Sequence, residues 1–307
     1  MSKSSIQKRK LTKSERETRK NKIKSFIILF IASVLFALPL IYMIGASFKS
    51  PLDLQLHPEK LFPSGGEWTL EHYTGFIWRD GQIDNMPYWI FNSLWSSFLS
   101  VALTVLIDLI TAYAIVFLKF KGKNIFIKFL YIWMAVPGVL GTAPSFAMFA
   151  SGINSLQLMG AARYVWVYIW MIVPGVTGIF NLILMKNFFE SIPMDIVESA
   201  KSDGASNKKI FWRIIVPLAR STIMLIVLFT FVGSWNNLVF PQLILAGEDS
   251  HWSTVTVALM GFTGGSSWAT VGVSMATSVF SLIPIIIIFI FTQNKMIDGL
   301  ASTGIKM

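Results

Sequence analysis

"ESAKSDGASNKKIFWRIIVP", residues 198–217, lies between two long apolar segments and is too short and too charged to cross a bilayer itself. A helical pattern enters it from "SIPMD", where Ser191 or Ile192 can cap and Pro193 suits the first turn. Asp195 and Glu198 then sit near the positive end of the helix dipole. The pattern ends at Gly204. A second helix is expected from Ser206 as N-cap. Its stripe is Ile210, Phe211, Ile214, Ile215 and Leu218, with Lys208, Lys209 and Arg213 off it and Pro217 as its stop. The product is a helix, a glycine turn and an amphipathic helix, a compact charged knob that implies a socket on another protein. A helix floating among lipid headgroups is the plainer alternative. Helix–turn–helix units also read DNA, but one tethered between two apolar spans with no domain around it is poorly placed to do so.

The surrounding chain explains the tether. Of its 307 residues 54% are hydrophobic and only 14% charged, against about 25% charged in soluble domains. Long stretches nearly free of charge fall at Phe26–Phe48, Trp89–Leu118, Phe129–Ala150, Tyr164–Met185, Ser221–Ala246 and Trp268–Asn294. Each is long enough for ~30 Å of hydrocarbon at ~1.5 Å per residue. Inside lipid every backbone polar group must be paired, so six helices follow, and the alternation of a lipid-facing barrel is missing. The fold class is an all-α polytopic membrane protein. The 23-residue first stretch exceeds the ~7–15 of a signal peptide and reads as a retained helix.

Lysine and arginine set the orientation. Ten lie in residues 1–24, four in 119–128, six in 186–220 and two after Asn294, against only Lys49, Lys60, Arg79 and Arg163 on the other face. This places both termini in the cytoplasm and makes the net charge of +10 a matter of topology and anionic lipid rather than of nucleic acid. Residues 1–24 read as a basic cytoplasmic tail and 25–307 as the transmembrane domain, with the knob at about 190–220. The external stretch Lys49–Tyr88 reads as an irregular cap with one short helix. Pro39, Pro137, Pro144, Pro174, Pro241 and Pro284 lie at membrane depth, often beside glycine as in "VPGVLGTAP" and "VPGVTG". Local kinks of this kind suit helices around a water-filled path.

"ESAKSDGASNKKIFWRIIVPL" resembles the EAA loop of ABC-importer permease subunits: Glu-Ala-Ala, three residues, Gly, nine residues, then an Ile-x-Leu-Pro-like end. Glu198, Ala200, Asp203, Gly204, Ala205, Ile214 and Pro217 match that pattern, while Ser199 and Val216 depart from it. "LPLIYMIGASFKS", "NSLWSSFLSVALTVLIDLITAYAIVFLKFKGK", "FFESIPMDIVESA", "SWNNLVFPQLIL" and "MIDGLASTGIKM" are similar, in order and spacing, to carbohydrate-importer permeases of the maltose-transport-G type. The external Leu-Gly-Leu phrase of such permeases is altered here to "LQLMG" at Leu156–Gly160.

The resemblance implies a cell-membrane subunit that forms half of a heterodimeric path for a sugar or oligosaccharide. Its partners would be a second homologous permease, an ATPase dimer and an extracytoplasmic solute-binding protein. Glu198 and Asp203 would meet the ATPase groove, Gly204 would make the turn, and Ile210, Phe211 and Ile214 would pack the knob onto the permease. The tail "STGIKM" would reach toward the ATPase. No cofactor is expected on this chain, because it has no Gly-x-x-x-x-Gly-Lys-Ser/Thr loop and ATP and Mg would sit on the partner ATPase. A non-sugar solute such as a polyamine or phosphodiester is the alternative within the family, and a proton-coupled carrier the alternative outside it.

For the solute path, Trp235, Asn236 and Asn237 offer a stacking face and amide hydrogen bonds, although membrane asparagines also tie helices together. Asp108 is the one ionised group inside a span; such groups face protein or water, and a structural hydrogen bond to a neighbouring helix is the first reading. His57, His72 and His251 are widely separated and make no metal site. There is no Ser-His-Asp context and no acid pair, so no enzyme is read.

Overall fold

The computed structural model describes residues 13–79, 82–83, 86–176, 178–263 and 268–304. Helix α1 (Lys13–Ser47) leads to a small cap of α2 (Pro51–Leu56), a turn at Ser64–Gly66, α3 (Glu71–Ile77) and a two-residue ladder of β1 (Trp78–Arg79) with β2 (Gln82–Ile83). Then follow α4 (Met86–Phe117), α5 (Lys123–Met134), α6 (Thr142–Leu156), α7 (Gly160–Ile172) and α8 (Ile179–Glu190). The chain continues through α9 (Met194–Ser202), α10 (Asn207–Ile210), a π turn at Phe211–Ile215, α11 (Val216–Leu218) and α12 (Arg220–Trp235). It ends with α13 (Val239–Ile244), α14 (Val255–Thr263) and α15 (Trp268–Gly304). The expected irregular cap is thus more ordered than its prolines and glycines suggest. Residues 305–307 of the tail "STGIKM" lie outside the described residues.

Among the described residues, four helices are long and apolar enough to cross a membrane: Lys20–Ser47, Met86–Phe117, Arg220–Ile244 and Thr270–Met296. The expected third and fourth spans are bent pairs instead, and counting each pair as one span gives six. Lys123–Met134 and Gly138–Leu156 meet at 98°. Pro137 supplies the reason, since it pushes the residue before it out of the helical region and offers no N–H to close the turn. The other break follows Val173–Gly175, where Pro174 opens a short 3₁₀ turn. By contrast Pro39 and Pro284 lie inside unbroken helices. Pro144 and Pro241 fall in the first turns of α6 and α13, where the missing N–H has no helical partner to lose.

Helix α4 is the axis of the molecule, packing on α8, α12, α14 and α7. Its buried side carries Asn92, Ser96, Ser100, Thr104 and Asp108, five polar residues at i, i+4 spacing and therefore on one face. Small polar side chains let helices approach closely and bond across the seam. Thr104 Oγ1 donates to the Val176 carbonyl at 2.9 Å, and Ser234 Oγ lies 3.4 Å from Ser100 Oγ. At one end of the molecule the Lys49 side chain is fully buried, its ammonium held by the carbonyls of His57 at 2.8 Å and Lys60 at 2.5 Å. The His72 ring bonds the Lys49 carbonyl at 2.7 Å and fits only because Gly272 of α15 has no side chain, since a Cβ there would lie 2.1 Å from the ring.

Candidate functional site

The knob is built as the local signals require at its tip and differently at its base. Helix α9 has Asp195 in its first turn, but Pro193 itself holds the N-cap position with no side-chain cap and Ser191 closes α8, so the expected cap at Ser191 or Ile192 is not made; Gly204 turns the chain at φ +79°. A side chain at that φ is strained even though nothing crowds the position. Ser206 then caps the next helix, its hydroxyl accepting from the Lys209 N–H at 3.4 Å. Glu198, Ser199, Lys201, Asp203, Gly204, Lys208 and Lys209 are all exposed, while Ala200 and Ala205 are half-buried. No ion pair engages Glu198 or Asp203 among the described residues.

The base departs from the expected stripe. The i→i+5 turn at Phe211–Ile215 widens the helix, so burial steps from Ile210 to Ile215 and then to Ala219. Ile214 is only half-buried and Leu218 is exposed. Nor does Pro217 stop the helix. It sits within α11, and the break comes at Ala219, with ψ 8°; the widened turn upstream relieves the clash that a proline otherwise makes with the preceding carbonyl.

Val197, Ile210, Phe211 and Ile215 enter a core with Tyr113 and Phe117 of α4 and Met185 and Phe189 of α8. Tyr113 packs edge-on to Phe211 at 5.1 Å and donates its hydroxyl to the Asn207 carbonyl at 3.3 Å. The knob is therefore rigidly joined to two long helices and bare at its tip, an arrangement able to transmit a push.

The four residues expected along the solute path are not gathered together. Trp235 is 2% exposed, stacks on Phe231 at 5.8 Å and donates its indole N–H to Ser281 Oγ at 3.1 Å. Its ring faces a small apolar cavity beside Met86 and Phe280 of the same chain. Asn236 and Asn237 occupy the break between α12 and α13, Asn236 exposed and Asn237 half-buried, with no side-chain hydrogen bond among the described residues. Asp108 is 1% exposed on α4, and its Oδ2 finds no hydrogen-bond donor among the described residues, so that oxygen does not make the structural bond expected of Asp108.

His72 is buried, and no cluster of metal-ligating side chains occurs among the described residues. Sequence reasoning missed the continuous polar face of α4, although its i, i+4 spacing was a usable signal. It also missed the Arg163–Glu248 ion pair, in which Nε donates to both carboxylate oxygens at 2.9 Å and which ties α7 to the turn after α13.

Residues 105–296 match the family model described as binding-protein-dependent transport system inner membrane component. The chain is 28% identical to the inner membrane ABC transporter permease protein YcjP of Escherichia coli, over 91% of this chain and 94% of that one. It is 27% identical to the galactooligosaccharides transport system permease protein GanQ of Bacillus subtilis, over 92% and 94%. With the maltose/maltodextrin transport system permease protein MalG of Vibrio parahaemolyticus it shares 26% identity over 90% and 92%. Among solved structures, a chain of a bacterial ABC transporter involved in import of the acidic polysaccharide alginate superposes with a TM-score of 0.69 at 21% identity, covering 93% of this chain and 99% of that one. This last likeness concerns the fold.

Proposed function

This chain belongs to the binding-protein-dependent transport system inner membrane components, and on that premise we propose that it forms half of a heterodimeric path for a sugar or oligosaccharide. It is a multi-pass membrane permease, a transporter subunit rather than an enzyme. The similar permeases named for galactooligosaccharide and maltodextrin transport support the substrate class. The distribution of Lys and Arg supports cytoplasmic termini, a basic tail at residues 1–24, a transmembrane domain over 25–307 and a coupling loop at about 190–220.

The observation that carries the proposal is the knob, with charged groups bare at its tip and Phe211 and Ile215 anchored between α4 and α8. In this reading Glu198 and Asp203 pair with polar groups in a groove of the ATPase, which alone holds ATP and Mg. Ala200 and Ala205 keep the two short helices close, and Gly204 makes the turn. Ile214 and Pro217 belong to the segment that hands motion on to α12. When nucleotide closes the ATPase dimer, the knob travels with it, and α4 and α8 follow because they share its core. The two permeases then rock between inward-open and outward-open states, an exchange that nucleotide drives only through contacts that differ between them. On the solute path, exposed Asn236 and half-buried Asn237 at the α12–α13 break are the polar groups best placed to meet hydroxyls. Trp235 braces them from behind, and Asp108 lines the seam of α4.

The chain contains no cysteine, so a single Asp203→Cys reports cleanly. Purified with its partners in mild detergent, that variant is expected to cross-link to the ATPase subunit, with a yield that changes on adding nucleotide. Capture of lipid or solvent alone would remove the coupling role.

A further inference from the structure

The strongest unassigned feature lies away from the knob. A groove of about 580 Å³ opens between the first turns of α4 and α7 and the turn Ser250–Trp252. Tyr88, Phe91, Asn92, Tyr164, His251 and Trp252 line it. Its volume falls among those of small-molecule sites, about 300–1,000 Å³.

The walls are aromatic and accessible. Tyr88 and Phe91 are 52% and 61% exposed. Tyr88 stands edge-on to His251 at 5.0 Å, and Tyr164 edge-on to Trp252 at 5.3 Å.

The rings are also held in place before any ligand arrives. Trp89 Nε1 donates to the Ser250 carbonyl at 2.8 Å, and Asn92 Nδ2 donates to the carbonyls of His251 at 2.7 Å and Ser253 at 3.0 Å. Ser93 Oγ accepts from the Val255 N–H at 2.9 Å. Trp89, Asn92 and Ser93 of α4, buried at 8%, 3% and 2% exposure, thus grip the backbone of a turn some 160 residues away in sequence. Asp249 fixes the His251 ring through Nδ1 at 2.6 Å. Such preorganisation lowers the entropic cost of binding.

A pyranose ring has two chemically different aspects. Its C–H faces lie well on aromatic rings, and its hydroxyl edge needs neutral donors and acceptors. The groove supplies both, because the Tyr88 phenol and His251 Nε2 have no hydrogen bond among the described residues and both side chains are exposed. None of its described lining residues is Lys or Arg, so a phosphate or carboxylate ligand has no cation to meet. An acyl chain would leave the polar groups idle.

We propose that this groove is a saccharide-binding site on the permease itself, in which one sugar ring rests against Tyr88 and Trp252 at the end of the molecule opposite the knob. The inference rests on the sugar-importer reading, whose topology makes this the receiving end. Asn92 is a positioning residue that sets the turn rather than a group that touches the sugar.

The test uses the whole importer complex in nanodiscs without its solute-binding protein and measures binding of maltotriose, galactotriose and diacetylchitobiose by saturation-transfer NMR and calorimetry. At least one sugar is expected to bind the native complex. Tyr88→Ala should weaken that binding by about fivefold or more, and Tyr88→Trp should retain it, as loss and retention of one ring contact require.

Equal binding by the native and Tyr88→Ala complexes would overturn the site while leaving sugar import intact. So would absence of binding in a complex whose full system, with binding protein, takes up one of the three sugars. A Tyr88→Ala complex that binds sugar normally but loses stimulation of its ATPase by the binding protein would reassign the groove to a protein contact. A full system that takes up none of the sugars would remove the premise and the site together.

Discussion

Two connecting segments of this chain differ in how much a distant helix holds them. The knob between α8 and α12 makes its own hydrogen bonds, turns on one glycine and keeps its charged tip bare. The turn at Ser250–Trp252 has its own Asp249 cap but is also clamped by another element, because α4 side chains bind its carbonyls and an N–H that follows it. A self-folded unit can be moved as a rigid lever. A turn held by a distant helix instead moves with that helix and reports its position. In the proposed coupling and sugar-binding roles, α4 links a driven end to a receiving end, since it packs against Phe211 at one end and holds the carbonyls of Ser250, His251 and Ser253 at the other.

The sharpest way to break this contrast is Gly204→Pro. Proline is locked near φ −65° and cannot reach the +79° of this turn, so the knob must refold. ATP-driven uptake is expected to fall to background while the protein still inserts and the ATPase still turns over. Normal uptake would show that knob geometry is irrelevant to coupling.

Next in size is Phe211→Ala, which empties a 7% exposed ring site in the core shared with Tyr113. A loss of about 3–5 kcal/mol is expected, read as a lowered melting temperature of the purified complex.

Asn92→Ala is expected to cost about 0.5–1.5 kcal/mol, because the carbonyls of His251 and Ser253 lose their shared donor, and to loosen only the distant turn. Hydrogen exchange should accelerate at residues 250–255 and remain unchanged at the knob. Equal acceleration at both would erase the distinction between self-folded and helix-held segments.

The smallest effect belongs to Ser206→Ala. Its capping bond is long at 3.4 Å, so the loss should lie near the low end of the range for caps, about 0.5 kcal/mol, detectable as faster exchange at the Lys209 amide.

The legibility of the molecule follows the same division. Gly204 and Ser206 were readable because a positive φ and an N-cap are settled within four residues. The base of the knob was not, since the π turn that moves burial from Ile214 to Ile215, and carries the helix past Pro217, depends on packing against Tyr113 and Phe189. Pro137 announced a break, but neither it nor its neighbours specified a bend of 98°. The burial of Lys49 and His72 was not legible in the sequence, because it is carbonyls of the cap and the empty space at Gly272 that receive them.

By itself the sequence determined the apolar segments and their number, the clustering of positive charge between them and the knob with its glycine hinge. Each of these is a sum over neighbouring residues or a conformation that one residue imposes. Only the tertiary structure decided that Trp235 turns inward to Ser281, that Asp108 lies in a buried polar seam, and that an aromatic groove forms where α4 meets a turn some 160 residues later. Those outcomes depend on which helix faces which. In lipid that choice is made by close packing and a few hydrogen bonds between segments distant in the chain, because apolar burial alone does not discriminate among partners there.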